Sequence, residues 1–192
     1  MHDLLFDHIA RRVTLTDDER ERCTQYFVPR RLLRRQFLLQ EGTACRHVAF
    51  VLDGCLRSYT LGHRGEEHIV QFAITDWWIT DMHSFLTGSE ATLTIDAVHD
   101  TRVLMLERSA REELLEAVPK MERFFRLLVE DNVVATQRRV LAMLRSSAEE
   151  RYLAFCATYP ALVDKVPQAH IASYLGITPQ SLSRIRKELA RR

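Results

Sequence analysis

The stretch from Val166 to Leu189, VPQAHIASYLGITPQSLSRIRKEL, leaves a chain few ways to fold. Gly176 stands where the backbone must bend sharply, because glycine accepts a positive φ that a β-carbon penalises. Thr178 then fits a helix cap, and Pro179 fits the first helical position, where no N–H is required. Ala172 is small at a point where two helices meeting at a wide angle approach closely. Ile171, Leu175, Ile177, Leu182 and Ile185 supply one apolar face for that corner. Gln180, Ser181, Ser183, Arg184, Arg186 and Lys187 are left facing outward. The pattern predicts a helix-turn-helix that offers polar and basic side chains to a DNA major groove. A helical hairpin with merely solvated charges is the competing reading. The coincidence of turn chemistry, small-residue placement and outward polarity weighs against it.

The remaining length must carry something else. The chain has 192 residues, enough for one or two domains with a sizeable core. Its net charge of +1 hides an asymmetry. Residues 1–118 hold 14 Lys and Arg against 19 Asp and Glu, whereas residues 119–192 hold 13 against 7. An acidic front and a basic back fit a sensing or scaffold domain joined to a nucleic-acid-binding one. No apolar run is long enough to cross a bilayer, and Asp3, Asp7, Arg11 and Arg12 break the first residues, so no secretory leader and a cytoplasmic location are expected. Cys23, Cys45, Cys55 and Cys156 are scattered, which argues against a disulfide framework or a zinc ribbon. His63 and His68 flank Glu66 and Glu67 at a spacing that matches no metal motif, and no metal is expected.

Helical signals open the chain at residues 2–12 and at the capping box Thr16 to Glu19, which starts a helix reaching about Phe27. From Val28 the pattern turns alternating and glycine-broken. Strands are predicted near residues 37–39, 48–52, 56–61, 68–72, 93–98 and 102–106, with a short helix between Asp76 and Gly88. Turns every eight to twelve residues indicate an antiparallel barrel or jelly roll. A second box, Ser109 to Glu112, opens a helix that stops before Pro119. A long helix then runs to about Arg145, with more apolar residues than one narrow face can hold. One side is expected to pack on the barrel and another on a second copy, with Phe124, Phe125, Leu128, Val129 and Ala135 as the dimer contacts. Complete burial within one subunit is the alternative. Ser147 to Glu150 caps a further helix, which Tyr159-Pro160 ends.

This order, a β-roll, a long helix and a C-terminal helix-turn-helix, resembles the Crp/Fnr family of bacterial transcription regulators over nearly the whole chain. Gln40-Glu-Gly42, Val51-Leu-Asp-Gly54 and Arg64-Gly-Glu-Glu67 look like the family's barrel turns, and Gly176 to Lys187 is similar to its recognition-helix signature. The resemblance implies an α+β fold: a jelly-roll sensor domain over 1–118, a dimerisation helix over 119–145 and a small helix-turn-helix domain over 146–192. It also implies base reading by the residues that match Pro179, Gln180 and Arg184. Cyclic-nucleotide-binding members use a Gly-Glu-Leu turn for the ribose and an Arg with Ser or Thr for the phosphate. Here those stretches read Ile79-Thr-Asp-Met82 and Glu90-Ala-Thr-Leu-Thr-Ile-Asp-Ala97. Asp81 remains a candidate acceptor for a sugar hydroxyl, but Ala91 falls where the arginine should stand, with Glu90 and Asp96 adding negative charge. Cyclic AMP is therefore not expected. The oxygen-sensing branch holds an iron–sulfur cluster through N-terminal cysteines, and only Cys23 lies in that region, so no cluster is expected either. The stretch from Tyr159 to Val166 is too short for the family's full β-hairpin wing.

The resulting expectation is a dimeric regulator that reads an inverted repeat in double-stranded DNA, with RNA polymerase as a further candidate partner. Arg184 suits guanine and Gln180 adenine or another base edge. Thr178, Ser181, Ser183, Arg186 and Lys187 suit phosphates, and Gln168 with the start of its helix adds a backbone contact. An unidentified effector would enter near Trp77, Trp78, Asp81, Met82, Phe85, Ala91 and Thr92. Aromatic residues at such spacing are more often core, and a regulator needing no small molecule is equally compatible. Two rivals are a cupin-type enzyme, which lacks its closely spaced histidines here, and a nucleotide-binding-like interaction module without DNA activity. No nucleophile, base and oxyanion donor assemble from this sequence, so no enzyme is expected.

Overall fold

Helix α1 (Asp3–Ala10) and helix α2 (Asp17–Thr24) lead into eight strands. These are β1 (Phe27–Leu32), β2 (Phe37–Leu39), β3 (His47–Asp53), β4 (Cys55–Leu61), β5 (Glu67–Ile74), β6 (Trp78–Ile79), β7 (Thr94–Ala97) and β8 (Thr101–Glu107), with helix α3 (Met82–Thr87) between β6 and β7. Helices α4 (Arg108–Ala117), α5 (Lys120–Arg145), α6 (Ala148–Thr158), α7 (Pro160–Val163), α8 (Gln168–Tyr174) and α9 (Pro179–Leu189) follow. The computed structural model describes residues 2–191; Met1 and Arg192, the outer ends of the expected first and last domains, lie outside the described residues.

The strands form two four-stranded sheets, ordered β1-β8-β3-β6 and β2-β7-β4-β5. This is the roll that the turn spacing predicts. The sequence reading did not resolve β1 as a strand. Pro29 lies in it and cannot donate to a ladder, which the edge position of β1 tolerates. Strand β3 reads as a continuous apolar run because both of its faces are covered: Val48, Ala49, Phe50 and Val51 are all buried. Gly54 turns β3 into β4 with φ +99, and a β-carbon there would meet the Asp100 carbonyl oxygen at 2.5 Å. Both conditions require glycine.

Two of the three expected capping boxes form. Thr16 and Glu19 exchange bonds at the start of α2, and Ser147 and Glu150 do so at α6. The box at Ser109 does not: α4 begins one residue earlier, at Arg108, so Ser109 is already inside the helix. The chain divides into two units, residues 1–60 with 70–130 and residues 61–69 with 131–192. This differs from the boundaries read along the sequence in two respects. Helix α5 is shared between the units, and the tip of the β4–β5 hairpin goes with the C-terminal residues.

The first unit holds a buried polar cluster inside an aromatic core. His8 stacks against Phe50, Trp78 and Phe124 at centroid distances of 5.3, 6.3 and 6.0 Å. Its Nδ1 lies 2.9 Å from Asp76 Oδ1, and its Nε2 lies 3.3 Å from Arg12 Nη1. This pattern suits the neutral ring, with Nδ1–H donating and Nε2 accepting from the cation. Burial pushes the His8 pKa below its ordinary value, and the Asp76 carboxylate opposes that shift only in part. The folded protein therefore binds less proton here than the unfolded chain does. The His8 contribution to stability is complete above the ordinary imidazole pKa of about 6.5 and is lost as pH falls through the lower folded value. Urea midpoints taken downward from pH 7.5 should fall more steeply for the native protein than for His8→Asn; parallel curves would show that His8 does not titrate in this way.

Candidate nucleic-acid interface

The C-terminal corner is built as its residues dictate. Helix α8 ends in a Schellman turn. Gly176 adopts φ +66, its N–H donates to the Ser173 carbonyl at 3.0 Å, and the Ile177 N–H donates to the Ala172 carbonyl at 3.0 Å. Thr178 caps α9, its hydroxyl accepting from the Ser181 N–H at 3.1 Å, and Pro179 takes the first helical position. Ile171, Ala172, Leu175, Leu182 and Ile185 are buried in the corner, as expected. Arg151 of α6 braces it, donating Nε to the Leu175 carbonyl at 3.1 Å and Nη1 to the Ser146 carbonyl at 2.6 Å. Its guanidinium thereby satisfies a carbonyl at the end of α8 that no helical N–H can reach. Phe155, Tyr159 and Tyr174 form an aromatic cluster in the same unit, and burial pushes the Tyr159 phenol well above its ordinary pKa.

Helical geometry separates the nominated residues of α9. Gln180, Ser183, Arg184 and Lys187 follow one another at i, i+3, i+4 and i+7 and are all exposed. They lie on the side of the helix opposite the buried pair Leu182 and Ile185. Among the described residues, neither Arg184 nor Lys187 has a carboxylate partner. Arg186 is exposed on one flank. Thr178 and Ser181 are already engaged, since the cap uses the Thr178 hydroxyl and the two side-chain oxygens lie 2.9 Å apart. Gln168 is a correction: its side chain folds back, Nε2 donating to the Val163 carbonyl at 3.3 Å. Helix α8 has seven residues and no side-chain cap at its start. The stretch before it forms the short helix α7 and no hairpin.

The residues nominated for an effector differ in their surroundings. Trp78 is core, packed on Phe50, Phe124, Phe125 and Phe27 at 5.1–6.2 Å. Phe85 and Ala91 are also buried, Trp77 is half-buried against the core, and Met82 and Thr92 are exposed. Asp81 is buried and ties its own helix to the segment before β7. Its Oδ1 accepts from the Ser84 N–H at 3.1 Å, and its Oδ2 from the Thr92 N–H at 2.9 Å, the Leu93 N–H at 3.1 Å and the Thr92 hydroxyl at 3.3 Å. With 2% of its surface exposed, the side chain gives a sugar hydroxyl no open approach. The roll's clefts of about 290 and 540 Å³ contain none of the seven nominated residues.

Sequence reasoning missed a buried ion pair between two strands of the roll. Arg57 on β4 stands opposite Asp96 on β7 in the strand register. It donates Nε to Oδ1 at 2.7 Å and Nη2 to Oδ2 at 3.0 Å, and its guanidinium lies over the Tyr59 ring at 4.5 Å. Asp96 is therefore not the free negative charge that the sequence suggests. The dimer-contact set also changes. Phe124 and Phe125 belong to the roll core, and Leu128 packs against it, because this part of α5 lies on the aromatic cluster. Val129 and Ala135 are exposed.

Residues 29–118 match the family model for the cyclic nucleotide-binding domain. The fumarate and nitrate reduction regulatory protein of Vibrio cholerae is 22% identical over 186 residues, covering 90% of this chain and 73% of that protein. The transcriptional activator protein anr of Pseudomonas aeruginosa is 22% identical over 170 residues, covering 81% and 68%. The solved structure of FixK2 from Bradyrhizobium japonicum superposes with a TM-score of 0.76 at 20% identity, covering 86% of this chain and 85% of that one. Residues 29–118 thus carry a cyclic nucleotide-binding-type domain, and over most of its length the chain is similar to regulators of the Crp/Fnr type. The chain shares with these proteins a β-roll followed by a long helix and a helical C-terminal part. Cys23, the one cysteine in its N-terminal region, is buried, and burial pushes its thiol up to about 11. Among the described residues no helix is long and apolar enough to cross a membrane.

Proposed function

We propose that this protein is a cytoplasmic, DNA-binding transcriptional regulator of the Crp/Fnr type and not an enzyme. It acts as a homodimer that reads an inverted repeat in double-stranded DNA. The observation that carries the reading is the exposed stripe Gln180, Ser183, Arg184 and Lys187, backed by a buried face and supported by a Schellman turn. A stripe of that width fits a major groove, with Arg184 on guanine, Gln180 on a second base edge, and Ser183 and Lys187 on phosphates. Two such helices reach successive grooves on one face of the duplex, about 34 Å apart.

Dimerisation is supported by the second half of α5. Val133, Val134, Val140, Leu141 and Leu144 are between 39 and 76% exposed, an apolar surface that a lone helix does not leave in water. Val133 and Val140, like Val134 and Leu141, stand seven residues apart, the spacing of a helix-pair seam. The roll works without cyclic AMP: Asp81 is buried, Ala91 supplies no charge, and Arg57 is held by Asp96. RNA polymerase is the further partner that a transcriptional role implies.

Selection of binding sites from random duplexes tests the reading, and an inverted repeat is the expected product. On that site Arg184→Ala should cost about 1–3 kcal/mol and relax preference at one base pair. Lys187→Ala should weaken cognate and random duplexes alike and flatten the salt dependence. Equal losses on both duplexes for Arg184→Ala would remove it from base reading. A protein that selects no sequence and binds no duplex would instead be an interaction module without DNA activity.

A further inference from the structure

Helix α8 is tied to the start of β5 by one hydroxyl, and all the residues concerned lie in the second unit. Ser173 Oγ donates to the Glu67 carbonyl at 2.6 Å and accepts from the Ile69 N–H at 2.9 Å. The side chain thus spends both hydrogen-bonding roles on one strand, on either side of residue 68. His170, three residues earlier on the same helical face, places Nε2 3.9 Å from the Glu67 carboxylate. Ile171, Ala172 and Leu175 of the same helix are buried among the helices. A seven-residue helix has little stability of its own, so its position comes from its neighbours. Ser173 also touches the turn that sets α9, because its carbonyl accepts the Gly176 N–H.

We propose that Ser173 is a positioning residue of the reading head: its hydroxyl brackets α8 to the start of β5, and through the Gly176 turn it sets the direction in which α9 meets DNA. The inference rests on the DNA-binding function above and adds a residue that faces no groove. One residue carries both links, so loss of the hydroxyl loosens the orientation of α9 without removing any contact to DNA.

The test compares Ser173→Thr, which keeps the hydroxyl, with Ser173→Val, which has the same shape without it. Affinity is measured on the selected inverted repeat and on random duplex, together with thermal unfolding and hydrogen exchange of the Ile69 amide. Ser173→Val is expected to lose about ten-fold on the inverted repeat, on the scale of one or two hydrogen bonds. It should lose less on random duplex, while Ile69 exchanges faster and Ser173→Thr keeps native affinity. If the β-branched pair does not fold, Ser173→Ala carries the same comparison against the native protein. Native affinity in the variants without the hydroxyl overturns the proposal. So does an equal loss on both duplexes that follows a lower melting temperature, which would mark a purely structural role. Native protein that binds no duplex overturns the DNA-binding function itself, an outcome distinct from variants that fail while native protein binds.

Discussion

Arg57→Ala is expected to lower the unfolding free energy by about 3–5 kcal/mol, the cost of leaving one partner of a buried ion pair uncompensated. Arg57 and Asp96 are 7 and 6% exposed, so the remaining carboxylate has almost no solvent to turn to. Both oxygens of Asp96 lose a charged donor at 2.7 and 3.0 Å, and Tyr59 loses the cation above its ring. The pair is not required for stability as such, because apolar side chains of similar volume often replace a buried pair without loss. Arg57→Met combined with Asp96→Leu should therefore recover most of the stability lost by either single change. Urea denaturation of the native protein, Arg57→Met, Asp96→Leu and the double variant forms a double-mutant cycle. A single-variant cost below about 1 kcal/mol would mean that the roll relaxes to solvate Asp96. The folded double variant is expected to bind the selected repeat like the native protein, because neither residue belongs to the exposed stripe of α9. Loss of binding there would instead make the pair a link between the roll and DNA reading.

Val133→Asp should convert the protein to a monomer and reduce its affinity for a full inverted repeat by about 100-fold or more, since one chain then holds one half-site without the effective concentration of a linked second. Val133 is 58% exposed, so the change removes no core packing, and its effect reports the interface alone. Affinity for an isolated half-site should stay unchanged, which separates lost pairing from a damaged reading head. Sedimentation analysis with titration of both duplexes decides it: a variant that remains dimeric would move the interface away from this part of α5.

The corner at Gly176 was legible because its determinants are local. A left-handed glycine, a capping threonine and an N1 proline act within a few residues of one another, and the i, i+3, i+4, i+7 spacing places Gln180, Ser183, Arg184 and Lys187 on one face by geometry alone. The strands of the roll were legible for a related reason, since glycine-marked turns delimit runs too short and too β-branched for helices. The Ser109 box failed because a capping pattern also fits inside a helix that has already begun.

Trp78 and Phe85 turned out to be core because aromatic spacing cannot tell a ligand box from a core. Trp78 and Asp81 stand three residues apart, yet one is enclosed by four phenylalanines and the other is spent on backbone amides. Phe124 and Phe125 were assigned to a partner for the same reason: a sequence shows which side chains need covering, not what covers them. The amino-acid sequence by itself therefore determined the order of elements, the turn and caps of the reading head, and the face that α9 turns outward. Only the tertiary structure decided that Arg57 meets Asp96, that His8 meets Asp76 and that Ser173 meets Glu67, across 39, 68 and 106 residues. Those pairings follow from strand register and helix placement, which sum many weak contacts over the whole fold, and no local pattern records that sum.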